Sequence, residues 1–147
     1  YSWMKNILFV CTGNSARSII AESIINNEHS DAFKAFSAGS NPSGKINEDI
    51  KEYLENVKKY DLKDYSSKNF QKFIDDKIKL DHVITVCNNA NNEVCPIWPD
   101  KNQIDHWDIE DPVSKLINKP PEEKFEIITK TFNNINQHIN DWINFEK

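Results

Sequence analysis

The sequence predicts one α/β domain with a mostly parallel sheet. Two observations lead there: short apolar, β-branched runs alternate with stripes of apolar residues at helical spacing, and the first such run passes through a small polar loop straight into a helix. The length, 147 residues, suits one hydrophobic core rather than two.

Ile7-Leu8-Phe9-Val10 is a continuous apolar run, the mark of a strand buried on both faces. It stops at Cys11-Thr12-Gly13-Asn14-Ser15-Ala16-Arg17-Ser18, after which Ile20, Ala21, Ile24 and Ile25 give the apolar face of a helix. Phe33 to Ala38 reads as a second strand, closed by the turn-rich Gly39-Ser40-Asn41-Pro42-Ser43-Gly44. Asn47 is placed to cap a helix carrying Ile50, Tyr53, Leu54 and Val57, and Ser66 or Ser67 to cap a short one through Phe70, Phe73 and Ile74. His82 to Val86 is a β-branched third strand ending on Cys87, and Ile104 to Ile109 a weaker fourth. Beyond Pro120-Pro121 and the first-turn acids Glu122 and Glu123, a long helix is marked by Phe125, Ile128, Phe132, Ile135, Ile139 and Trp142, spaced by three and four residues. Tyr1-Ser2-Trp3 stand before Met4 and read as an appended tripeptide, so the domain is expected to span 4–147.

Charge and composition narrow the function. A net charge of −5 and a pI near 5.4 argue against a nucleic-acid binder. With 38% hydrophobic residues and a mean hydropathy of −0.68, no stretch approaches the ~20 apolar residues of a membrane span. No secretory signal is visible, and three cysteines are too few for a disulfide scaffold. The expectation is a cytoplasmic protein whose cysteines do chemistry.

The loop after the first strand has a Cys, five residues, then Arg and Ser. Between a buried strand and a helix N-terminus, successive backbone N–H groups form a nest for an anion. Gly13 permits close approach and Asn14 tolerates the left-handed conformation. Arg17 is suited to grip a tetrahedral oxyanion through paired hydrogen bonds, with Thr12, Gly13, Asn14, Ser15 and Ala16 supplying the rest of the cradle. Cys11 then lies at its floor, beside the Ser18 hydroxyl, as a nucleophile facing the central atom of the anion.

This stretch, from Val10 through Ser18 with Ala21-Glu22 after it, resembles the phosphate-binding loop (P-loop) of low-molecular-weight tyrosine phosphatases. It is more similar still to the arsenate reductases of that fold. Ser37-Ala38-Gly39, Val86-Cys87, Cys95-Pro96, His106-Trp107 and Asp111-Pro112 continue the likeness over most of the chain. The resemblance implies a three-layer domain with a four-stranded parallel sheet flanked by helices, Cys11 as nucleophile and Asp111 as general acid. It also implies a relay ending in a redox-active disulfide: Cys11 attacks arsenate, Cys87 attacks Cys11 and releases arsenite, and Cys95 attacks Cys87. The resulting disulfide is reduced by thioredoxin, by glutaredoxin or by glutathione. The position where relatives often carry a further cysteine is Ala16 here, leaving three cysteines for three roles.

The residues support the same division. A phosphatase needs Cys11, Arg17 and Asp111 but no sulfur at 87 or 95, whereas removing two electrons calls for a dithiol. Cys87, at a strand end, belongs on the sheet edge that holds the Cys11 loop. Pro112 biases Asp111 toward an extended backbone in a loop, and Val113-Ser114-Lys115 lacks the tyrosines that line the cleft of the phosphatases. Trp107 is read as core and His106 as a structural hydrogen-bonding residue. No organic cofactor and no metal are expected, since a zinc site would want a Cys-x-x-Cys pair. Relatives of this type bind potassium beside the loop through the counterparts of Asn14, Glu22 and Ser37 and an acid. Here Lys68 takes the place of the acid, and its ammonium is expected to stand in for the cation and to hydrogen-bond Glu22. The alternatives are a low-molecular-weight phosphatase acting on phosphotyrosine and an oxyanion-binding module without turnover.

Overall fold

The structure is a computed structural model that describes residues 4–88 and 103–146. Its elements run β1 (Lys5–Cys11), α1 (Arg17–Glu28), β2 (Phe33–Gly39), α2 (Glu48–Glu52), β3 (His82–Cys87), β4 (Gln103–Asp108) and the closing helix α5 (Pro121–Glu146), with α3 (Gln71–Asp75) before β3 and α4 (Val113–Leu116) before α5. The four strands form one sheet in the order β2-β1-β3-β4, every neighbouring pair parallel. The expected four-stranded α/β domain is what the chain builds.

Alternation along β1 explains the layers. Ile7 and Phe9 enter a core with α1, α5 and the 46–62 region, whereas Leu8 and Val10 enter a smaller one with Ala38, Phe73, Leu80 and Val83. Both faces being covered, β1 is buried from Ile7 to Cys11 and β3 along its whole length. Helix α5 lays Ile128, Phe132, Ile135, Ile139 and Trp142 onto the larger core, each worth about 1.5–3 kcal/mol of burial. Phe125, read as the first residue of that stripe, is instead half exposed and packs its ring on Tyr53. The helix starts at Pro121, where the missing N–H costs nothing, and Lys124 N–H bonds the Pro120 carbonyl.

Two caps separate cleanly. Asn47 caps α2 as expected, its Oδ1 accepting from the N–H groups of Asp49 and Ile50, and the helix widens into a π-helical turn over Tyr53–Val57. The sequence assigned the cap of α3 to Ser66 or Ser67, but the capping position is Phe70, which has no side-chain cap bond, and Asn69 just before it accepts from Gln71 N–H through its Oδ1 at 2.8 Å. Ser67 is drawn away because its hydroxyl donates to the Gly13 carbonyl at 3.1 Å. Among the described residues no helix is long and apolar enough to cross a membrane.

The order β2-β1-β3 means that the chain leaves β1 in one direction and returns on its other side. The crevice beyond the carboxyl ends of β1 and β3 is therefore the switch point of the sheet, where open α/β folds bind ligands. Cys11 ends β1 and Cys87 ends β3.

Candidate active site

The polarity of the 11–17 loop is set by where its carbonyls go. The oxygens of Cys11, Thr12, Gly13 and Ser15 accept from the N–H groups of Ser40, Asn41, Ser43 and Asn47, at 2.9–3.1 Å, and that of Ala16 accepts from Ile20 N–H at 2.8 Å. Across a trans peptide the N–H points opposite to the C=O, and no peptide here is cis. The amides of Thr12, Gly13, Asn14, Ala16 and Arg17 accordingly turn toward the interior of the loop. That is an anion nest, and the N-terminus of α1 adds its dipole.

Cys11 sits at its base, 2% exposed and a free thiol. Asn14 N–H reaches its Sγ at 3.1 Å and Ser18 Oγ lies 2.9 Å away, so two polar groups converge on the sulfur. Asn14 holds the loop from behind. Its φ of 48° is left-handed, as anticipated for an Asn there. Its Nδ2 donates to Ser18 Oγ (2.7 Å) and Ser37 Oγ (3.0 Å), and its Oδ1 accepts from Lys68 N–H at 2.8 Å. Ser37 Oγ in turn donates to the buried carboxyl of Glu22. Burial raises Glu22 above the usual carboxylate value, with the Lys68 charge and the Ser37 hydroxyl pulling it back.

Lys68 departs from its expected contact. Its Nζ donates to the Ser66 carbonyl at 2.6 Å, not to Glu22, because the side chain folds back along its own segment. The two groups still sense each other's charge: burial lowers the Lys68 ammonium and Glu22 opposes that. The donor set of a resident potassium is already used within the protein, since Asn14 Oδ1 and Ser37 Oγ have the partners just given. With an ammonium beside it, this pocket does not fit a further cation.

A cleft of about 390 Å³ opens over the loop, lined by Cys11 through Arg17 on one side and by Asp111, Val113 and Ser114 on the other. Arg17 is 4% exposed, and its Nη1 donates to the Ile109 carbonyl at 2.9 Å, tying the cradle to the segment that carries Asp111. Asp111 Oδ1 accepts from Val113 N–H at 3.0 Å, fixing the carboxyl at the cleft edge. Cys11, Thr12, Gly13, Asn14, Ser15, Ala16, Arg17 and Asp111 thus share one cleft, with Ser18 behind the Cys11 sulfur. Cys87 stands at the carboxyl end of the strand next to Cys11 and is disulfide-bonded. Cys95 lies outside the described residues.

Sequence reasoning read Gly39 as the first residue of the turn cluster that closes the second strand and as part of the Ser37-Ala38-Gly39 likeness. A Cβ there would meet the Thr12 carbonyl at 2.5 Å and Asn14 at 3.1 Å, so the missing side chain is what lets the loop sit against β2. Its backbone is clamped by Lys68 and Phe70, Gly39 N–H donating to Lys68 O at 2.8 Å and Phe70 N–H to Gly39 O at 3.1 Å. The turn-rich run after Gly39 was the available signal; that it supplies the donors for the loop carbonyls was not readable from residue types.

A parallel sheet whose switch point holds a buried cysteine in an amide nest, with an arginine in the same loop and an aspartate across the cleft, places the chain among α/β folds with an anion nest between a strand and a helix. More particularly, the chain belongs to the family described as low molecular weight phosphotyrosine protein phosphatase, whose model matches residues 6–145. It is 35% identical over 112 residues to an arsenate reductase of Staphylococcus aureus, covering 76% of this chain and 81% of that one. To arsenate reductase 2 of Staphylococcus haemolyticus it is 34% identical over 111 residues, with the same coverage. The solved thioredoxin-dependent arsenate reductase of Corynebacterium glutamicum shares the fold at a TM-score of 0.66 and 23% identity. That match covers 99% of this chain and 65% of the other.

Proposed function

We propose that the protein reduces arsenate to arsenite, with Cys11, Cys87 and Cys95 as a thiol–disulfide relay. One observation carries the reading: the free thiol of Cys11 lies in the anion nest while a second cysteine, disulfide-bonded, ends the adjacent strand. Hydrolysis has no use for that second sulfur. The arsenate reductases at 34–35% identity support the substrate, and the small residues Val113 and Ser114 at the cleft suit an inorganic anion better than an aryl ester.

In the first step the Cys11 thiolate forms an S–As bond, and Asp111 protonates the departing oxygen, which leaves as water. The amides of the loop and the Arg17 guanidinium hold the remaining oxygens and the charge that builds on them. In the second, the Cys87 thiolate attacks Cys11 Sγ. An S–S bond forms, the S–As bond breaks with its electron pair moving to arsenic, and As(V) leaves as As(III). In the third, the Cys95 thiolate attacks Cys87 and returns Cys11 as a thiolate, Ser18 and Asn14 N–H receiving it. A thioredoxin-like or glutaredoxin-like dithiol, or glutathione, then reduces the 87–95 disulfide by exchange, chemistry that belongs to a reducing compartment such as the cytoplasm.

The test is peptide mass mapping after one exposure of the fully reduced protein to arsenate, with no reductant left. The wild type should end with a Cys87–Cys95 disulfide and Cys95→Ser with a Cys11–Cys87 disulfide. Sustained arsenite formation by Cys87→Ser in the presence of a dithiol would refute the relay and favour the phosphatase reading, which needs only Cys11, Arg17 and Asp111.

A further inference from the structure

The nest leaves unused a group of side chains on the third and fourth strands. The register sets Thr85 opposite His106 and Cys87 opposite Asp108, so alternation puts all four on one face of the sheet. With Cys87 disulfide-bonded, His106 Nδ1 is 2.7 Å from Thr85 Oγ1 and 4.0 Å from Cys87 Sγ. The Thr85 hydroxyl has a second acceptor in the Asp105 carbonyl at 3.5 Å.

We infer that His106 is the proton acceptor of Cys87. When the 87 thiol is free, its proton passes to Nδ1, and the N–H so formed points between the Cys87 thiolate and Thr85 Oγ1. Thr85 accommodates the change by rotating its own proton from the ring nitrogen to the Asp105 carbonyl. Oxygen thus changes from donor to acceptor without moving. The balance is simple: one S–H bond breaks, one N–H bond forms, no electrons transfer, and the thiolate left behind is the species that attacks Cys11. The inference rests on the relay, and it gives the second step a base that the oxyanion cradle does not contain. His106 is exposed, so the ring can pass its proton on to solvent. Of the other titratable groups nearby, Asp108 shares its face, Asp105 turns to the other face to accept from Trp142, and His138 and Asp141 of α5 line the cleft at the strand edge; all remain in every variant below.

The experiment needs no arsenate. In fully reduced protein, the rate of alkylation at each cysteine is followed against pH by peptide mass. In His106→Ala the pH of half-maximal alkylation at Cys87 should rise by about one unit, which is about tenfold less thiolate near neutrality. The values for Cys11 and Cys95 should not move. With arsenate in a single turnover, arsenite release should slow about tenfold at pH 7 and converge with the wild type near pH 9, while aryl phosphate hydrolysis stays within about twofold. Thr85→Val, which keeps the shape of the strand, should shift Cys87 in the same direction by a smaller amount and serves if His106→Ala does not fold. An unmoved Cys87 profile in a folded variant overturns the inference. Failure of the relay shows separately, as continued turnover by Cys87→Ser, and leaves the alkylation result to judge His106 on its own.

Discussion

Asn14→Ala is the substitution that tests the construction of the nest most directly. The side chain makes three hydrogen bonds, to Ser18, Ser37 and the Lys68 N–H, and is fully buried. At about 1 kcal/mol each, their loss costs about 3 kcal/mol. Alanine held at the φ of 48° adds about 1 kcal/mol that asparagine largely avoids. The sum, about 4 kcal/mol, corresponds to a drop of roughly 15 °C in Tm for a domain of this size. Asn14→Gly loses the same bonds without the backbone strain and should be milder by roughly 1 kcal/mol. Urea unfolding of the three proteins, with slopes checked for equality, gives both differences. A loss below about 1 kcal/mol in Asn14→Ala would mean that the loop holds its shape without this side chain, and the account of the nest would fail.

Three further outcomes follow from neighbouring contacts. Gly39→Ala should abolish oxyanion turnover while far-ultraviolet circular dichroism stays native, since the new methyl collides with the Thr12 carbonyl; wild-type kinetics would refute the close approach. Burial holds the Glu22 carboxyl above the usual carboxylate value, so the folded state keeps its proton to higher pH than the unfolded chain does. Its contribution is therefore complete below the unfolded value and is lost as pH rises through the folded one. Melting temperatures should show Glu22→Gln gaining on the wild type from about pH 4 upward, and a constant gap would contradict the burial. Turnover should be the same in KCl and NaCl at equal ionic strength, because Lys68 already supplies the positive charge near Glu22; a several-fold activation by potassium would show that the pocket takes a cation after all.

The sheet and the long helix were legible because burial on two faces leaves an uninterrupted apolar run, as in Ile7 to Val10, and burial on one leaves a stripe, as in Ile128 to Trp142. The nest was legible at Cys11, Asn14, Arg17 and Ser18, whose types match the conformations and bonds found there. What escaped depends on contacts distant in sequence. Ser67 is a competent cap by type, but α3 starts later, after Phe70, and the Ser67 hydroxyl serves the Gly13 carbonyl instead. The backbone of Asn47 looks like any cap residue until it is found bonding Ser15. His106 reads as a structural hydrogen-bonding residue; that its partners are Thr85 and Cys87 is a matter of register, which pairing partners set and residue type does not.

The outward-facing carbonyls of the nest have a consequence for choice of guest. Four of its carbonyls are tied by backbone hydrogen bonds to the 40–47 stretch, which leaves the ring little freedom to widen or contract. Such a rigid receptor sorts by charge and tetrahedral shape, and phosphate satisfies both tests as well as arsenate does. Selection under the proposed chemistry then falls after capture, on whether the central atom can take an electron pair from sulfur. Arsenic(V) can. Phosphate instead occupies the seat as a competitor, and the ratio of the two anions around the protein governs how often the site is free to work.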